Sequence, residues 1–203
     1  MTHRRSAKRK DPSDDARSHT KNSGARRGKQ FTYALLDERV PMSRSLSRGD
    51  AIAELARRYF TSHGPARVHD FAWWSGLTVA DARAGLEAVE RVLACDTVDG
   101  RTYWFPSSGR APNGTRSAYL LPLFDEYLIA YKDRSAALDV SRIAARDPFS
   151  APIVVNGQVV GGWKRLQNAS STSIALTPFE RLGKRDVSAI TAAARAYAAF
   201  LDI

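Results

Sequence analysis

Residues 45–106 place three helix-forming stretches and one tight turn in a fixed order, and that order limits the fold more than any other feature of the chain. Ser47 and Asp50 stand at the spacing of a capping box, Ile52, Leu55, Ala56 and Tyr59 recur at helical spacing, and Gly64-Pro65 stops the helix. A second, short helix contains His69 to Trp74 and ends at Ser75-Gly76. Thr78 and Asp81 repeat the capping spacing and open a third helix, whose apolar face is Ala82, Leu86, Val89 and Leu93. Asp99-Gly100 then separates Thr97-Val98 from Arg101–Phe105, and this dipeptide accepts the positive φ values of a two-residue hairpin turn. Three helices, the last two joined by a short glycine turn, followed by a hairpin, predict a winged helix-turn-helix domain over 45–106.

The rest of the chain is organised around this unit. Phe31–Leu36 reads as a short strand and Pro41–Ser45 as a connection, so 31–44 is a remnant strand with a linker. Residues 107–117 are rich in Ser, Gly, Pro and Asn and form a second linker, with Arg110 and Arg116 exposed to phosphate. Over 118–203 the pattern predicts a small α+β domain. Tyr119–Arg134 is amphipathic and aromatic, and Ile153–Val155, Asn156-Gly157 and Gln158–Trp163 form a hairpin with a strong turn signal. Ser171–Leu176 adds a third strand. A C-terminal helix started by Asp186 carries Val187, Ile190, Ala194, Tyr197 and Leu201 as its apolar stripe. The fold class is therefore α+β.

The net charge of +10 points to a polyanionic partner, but its placement is uneven. Residues 1–30 hold ten of the 31 basic side chains and three of the 21 acidic ones, a local +7, which leaves only +3 for the body. Those residues have almost no large apolar side chains, so a mobile basic tail is expected, able to hold phosphate without reading sequence. Cys95 is the single cysteine and excludes an internal disulfide. The basic start leads into Asp11–Asp15 rather than an apolar signal core, and no apolar run approaches the roughly 20 residues that span a bilayer. A cytoplasmic, nucleoid-associated protein with no membrane role is the expectation.

Few residues suggest catalysis. His3 and His19 lie in the tail, and His63 and His69 are separated by a helix stop, so no metal site is expected. There is no glycine-rich phosphate loop and no cofactor signature; Gly161-Gly162 lies inside a strand and marks a bulge or a close backbone approach. Asp125-Glu126 sits among aromatic residues, where a carboxylate can serve acid–base chemistry, although a carboxylate just after Pro122 also reads as a helix start. Trp73-Trp74 fits core packing for at least one indole. A lone Cys95 in a strand reads as a small buried hydrophobe. The third helix carries Asp81, Glu87 and Glu90 against Arg83 and Arg91, and presents Thr78, Asp81 and Gly85 at its leading end, which is poor equipment for reading bases. Positive charge for DNA must come largely from Arg101 in the wing, from Lys132 and Arg134, from Trp163-Lys164-Arg165, an aromatic beside two cations, and from the basic tail.

Phe71–Leu77, Leu120–Leu128 with Tyr131–Arg134 downstream, and Asn156–Trp163 together resemble the AlkZ-like (YcaQ-like) winged-helix DNA-binding family, from about Ser23 to Ile203. The resemblance implies a body of several winged helices on double-stranded DNA. It also implies kinship with bacterial glycosylases that unhook alkylated bases and interstrand crosslinks. Active members carry a Gln-x-Gln or Gln-x-Asp pair in an N-terminal winged helix. Here Gln30, Gln158 and Gln167 have no such partner, and no catalytic residue carries over. The chain reads as an N-terminally shortened, DNA-binding member, with a homodimer formed through the surface left by the missing domain. The alternatives are a glycosylase-like enzyme using Asp125 or Glu126, and a protein-interaction module with a basic tail.

Overall fold

The computed structural model describes residues 21–28, 30–35, 39, 45–108, 117–139, 141, 150–167 and 172–201. The chain forms two compact units, Met1–Ser47 and Arg48–Ile203.

In the first unit, strand β1 (Lys21–Ser23) pairs antiparallel with β2 (Tyr33–Leu35), with Lys21 opposite Leu35 and Ser23 opposite Tyr33. The expected tail over 1–30 is corrected for these residues: a ladder of backbone hydrogen bonds needs no apolar side chains, and composition alone missed it. The Arg26 guanidinium lies 4.4 Å from the centre of the Phe31 ring, which holds the hairpin loop on its own side chains. Residues 1–20 and 40–44 lie outside the described residues.

The second unit begins with α1 (Arg48–His63), α2 (Val68–Ser75) and α3 (Val79–Val89). Gly76 closes α2 at φ 71°, where a side chain would be strained, and its N–H returns to the Ala72 carbonyl. Thr78 Oγ1 accepts the Asp81 N–H at 3.1 Å and starts α3. The third helix is shorter than its apolar pattern suggests: a 3-10 turn at Glu90–Val92 follows, and Leu93 begins β3 (Leu93–Val98). β3 pairs with β4 (Arg101–Pro106) through the Asp99-Gly100 turn, both residues at positive φ. Cys95 is exposed on this hairpin, opposite Trp104, rather than buried.

Tyr59, Phe60, Phe71, Ala82 and Leu86 form the core between the three helices, with Trp104 of β4 and Tyr131 packed against it. Ala66 and Trp104 exchange two backbone hydrogen bonds, of 3.0 and 2.8 Å, and fasten the hairpin to the α1–α2 connection. A side chain at Gly64 would meet the Phe105 Cα at 2.8 Å, so only glycine allows that approach.

A four-stranded antiparallel sheet follows, in the order β5 (Ala118–Leu120), β6 (Ala151–Val155), β7 (Gln158–Gln167), β8 (Thr172–Pro178). Asn156 and Gly157 make the β6–β7 turn at positive φ, as their identity predicts. The register shifts beside Val154, and a Cβ on Gly161 would stand 2.6 Å from the Pro178 Cα, so the Gly-Gly pair marks both a bulge and a close approach. After β5 the chain makes a short helical turn, α4 (Glu126–Ile129). The C-terminal α5 (Lys184–Phe200) packs Ile190 and Tyr197 against Ile153, Val155 and Trp163 of the sheet. Residues 109–116 of the second linker lie outside the described residues, and the chain on both sides of them belongs to one compact unit. Among the described residues no helix is long and apolar enough to cross a membrane.

Candidate nucleic-acid interface

The N-terminal end of α2 and the segment after α4 are joined by one buried carboxylate. Asp70 sits in the first turn of α2, 3% exposed, where Oδ2 accepts the Arg67 N–H at 2.9 Å. Its Oδ1 accepts the N–H groups of Lys132 at 3.0 Å and Asp133 at 3.3 Å. The chain at 131–133 is thereby held against α2, with the Tyr131 hydroxyl donating to the His63 carbonyl at 2.7 Å.

Asp133 then gathers cations. Its Oδ2 lies 2.7 Å from Arg101 Nη1 and 3.4 Å from Arg67 Nη1, while Oδ1 accepts from the hydroxyl and backbone N–H of Ser135. These Ser135 hydrogen bonds, with help from Arg101 and Arg67, hold its carboxyl below the usual aspartate value. Of the predicted residues, Arg101 on the hairpin pairs with Asp133, while Lys132 and Arg134 flank Asp133 in the chain and line separate hollows on either side of it.

Beside this cluster a groove of about 430 Å³ runs between α2, α3 and the hairpin, where Arg67, His69, Arg83 and Arg101 face Glu87 and Glu90. The third helix is less acidic in effect than its sequence suggests, because both oxygens of Asp81 are taken by Arg48, at 3.0 and 2.9 Å. Gly85 does not front the groove. It is buried against α1, where an added Cβ would stand 2.7 Å from Ile52 Cγ2.

The triplet Trp163-Lys164-Arg165 behaves differently from its prediction. Trp163 is 9% exposed, donates from Nε1 to the Leu121 carbonyl at 2.8 Å, and meets Tyr197 edge-on at 5.1 Å. It is a core residue, and its ring is covered where base stacking would need it open. Lys164 and Arg165 are opposite Ala175 and Ile174 in the sheet, and successive strand residues face opposite sides, so the two cations do not share a face. Neither Lys164 nor Arg165 lines the groove or the hollows around Asp133.

The paired carboxylates also separate. Asp125 caps α4, accepting the Tyr127 N–H at 2.9 Å, so its helix-start reading holds. Glu126 Oε2 instead accepts Trp74 Nε1 at 2.9 Å and lies 3.1 Å from His63 Nε2. His63 stacks on Tyr59 at 5.0 Å between ring centres. Trp73 is exposed, its indole donating to the Ile129 carbonyl, while Trp74 packs on the helical core. Among the described residues no group of three His, Cys, Asp or Glu side chains is placed to hold a metal.

Sequence reasoning missed Arg67, Asp70 and Asp133. An acid three residues past a helix start is a cap signal at Asp70, and Asp133 followed two residues on by Ser135 is an Asx-turn signal. Their joint role needed the fold.

Among solved structures the chain is similar to Streptomyces sahachiroi DNA glycosylase AlkZ, with a TM-score of 0.66 at 22% identity, covering 86% of this chain and 50% of that one. At that identity the likeness shows a common fold, and the chain spans half the length of that structure. No curated protein matches it. A family model described as DNA glycosylase AlkZ-like matches residues 16–200, and with nearly its whole length inside that match the chain belongs to the AlkZ-like family.

Proposed function

We propose that the protein binds double-stranded DNA, with α1–α3 and the β3–β4 hairpin acting as a winged helix that grips the phosphate backbone. The observation that carries this reading is that Arg67, Arg83 and Arg101 line the α3–hairpin groove, with Lys132 and Arg134 lining the hollows beside it around Asp133, within a family named for a DNA glycosylase. Guanidinium and ammonium groups on one surface release counterions when they replace them at phosphates, while Glu87 and Glu90 on the groove wall disfavour base-edge readout.

Base excision has less support. The Asp125 carboxylate is spent on a helix cap and Glu126 on an indole and an imidazole, which leaves neither as an unencumbered base beside an open pocket.

Fluorescence anisotropy of the full chain with an undamaged duplex, across a salt series, tests the reading. Affinity should fall with a log–log slope of about −0.9 per phosphate contact, so roughly −4.5 if all five cations contact phosphate. A complex insensitive to salt would overturn it.

A further inference from the structure

A second concavity opens on the other side of the Asp133 cluster. It has a volume of about 180 Å³, is partly open to solvent, and lies between the hairpin and the segment 127–137. Tyr103, Tyr127 and Tyr131 line it, with Arg67, Asp133 and Arg134. Two of the rings are pinned by their hydroxyls, Tyr127 to the Gly157 carbonyl at 2.6 Å and Tyr131 to the His63 carbonyl at 2.7 Å. The wall is preformed.

The acids in that wall are already engaged by the protein itself. Both oxygens of Asp133 are taken by Ser135, Arg101 and Arg67, and both oxygens of Asp70 by backbone N–H groups. The Tyr103 hydroxyl and the two terminal nitrogens of Arg134 make no hydrogen bond among the described residues, since Arg134 uses only Nε, toward the Tyr131 carbonyl at 3.3 Å. The space is smaller than the roughly 300 Å³ at which pockets for drug-sized ligands begin. It suits one flat ring that accepts hydrogen bonds, with any anionic group left outside near Arg67 and Arg134.

We infer that this cleft holds a single nucleobase, with the adjoining phosphate against Arg67 and Arg134. Continuity supports the assignment: Arg67 lines both this cleft and the groove proposed for the phosphate backbone, so a nucleotide displaced from a bound strand reaches the cleft without leaving the cationic surface.

The inference rests on the DNA-binding reading, and three titrations of the full chain separate their failures: a paired duplex, the same duplex with one unpaired adenine, and deoxyadenosine monophosphate. The unpaired adenine should tighten binding about tenfold, within what one base stacked on an aromatic ring contributes. Tyr103→Ala, and Ala136→Phe, which fills the cleft from its wall, should each abolish that preference without changing the affinity for paired duplex. Thermal melting of both variants confirms that they fold. Saturable binding of the monophosphate without a preference for the unpaired base keeps the cleft and makes free nucleotides its source. Equal binding of both duplexes with no monophosphate binding overturns the cleft and leaves the DNA-binding reading standing. Loss of binding to all three overturns both.

Discussion

Asp70 accepts the backbone N–H of Lys132 at 3.0 Å, across 62 residues of sequence, and this contact sets the cationic surface. It holds the loop carrying Lys132, Asp133 and Arg134 against the helix end that carries Arg67, and Asp133 in turn draws in Arg101 from the hairpin.

Removing that latch should destabilise the fold. Asp70→Ala leaves the N–H groups of Arg67, Lys132 and Asp133 without their acceptor, and bonds to a charged group contribute about 1.5–3 kcal/mol each at most. A loss of about 3 kcal/mol in urea unfolding is expected, with a smaller loss for Asp70→Asn, which keeps one acceptor oxygen. An unchanged midpoint in Asp70→Ala would contradict the structural role.

Acid should weaken the fold through its paired carboxylates. Hydrogen bonds from Arg57 and then Arg58 hold Glu54 at about 2 against an ordinary 4.5, and Asp81 and Asp133 are held low by Arg48 and Ser135 respectively. In this range the unfolded chain binds more protons than the folded one, so their contribution is present above the unfolded value and lost as pH falls through the folded one. The melting temperature should fall from about pH 4.5 toward pH 2, and less steeply in Glu54→Gln.

The five cations around the groove and Asp133 should act as separable phosphate contacts. Lys132→Gln and Arg101→Gln should each reduce the salt slope of duplex binding by about 0.9. The double variant Lys164→Gln, Arg165→Gln should reduce it by no more than one contact, because alternate strand positions face opposite sides. A larger loss from the double variant would move the interface onto the sheet.

Trp163 and Gly85 should behave as core positions. Trp163→Ala should cost about 3–5 kcal/mol, from the lost ring and the unpaired Leu121 carbonyl, while the salt slope stays as it was. Gly85→Leu should cost about 1–3 kcal/mol by forcing α1 and α3 apart at Ile52. Wild-type thermal stability in either variant would place its side chain outside the core.

Much of the fold is local and was legible. Asp99-Gly100 and Asn156-Gly157 adopt positive φ because their own chemistry tolerates it, and each fixes the hairpin around it. Thr78, Gly76 and the apolar spacing of Ile52 to Tyr59 placed the helices for the same reason: capping and periodicity act over three or four residues, within reach of the sequence itself. The site depends on partners 32 to 66 residues apart, Arg101 with Asp133, Asp70 with Lys132, and Arg67 with Asp133. Which face of a strand hides Trp163, and which acid neutralises Arg48, are decided only when distant elements pack, because burial and ion pairing depend on neighbours in space. The sequence determined the helices, the turns and the family; the tertiary structure decided which cations stand together.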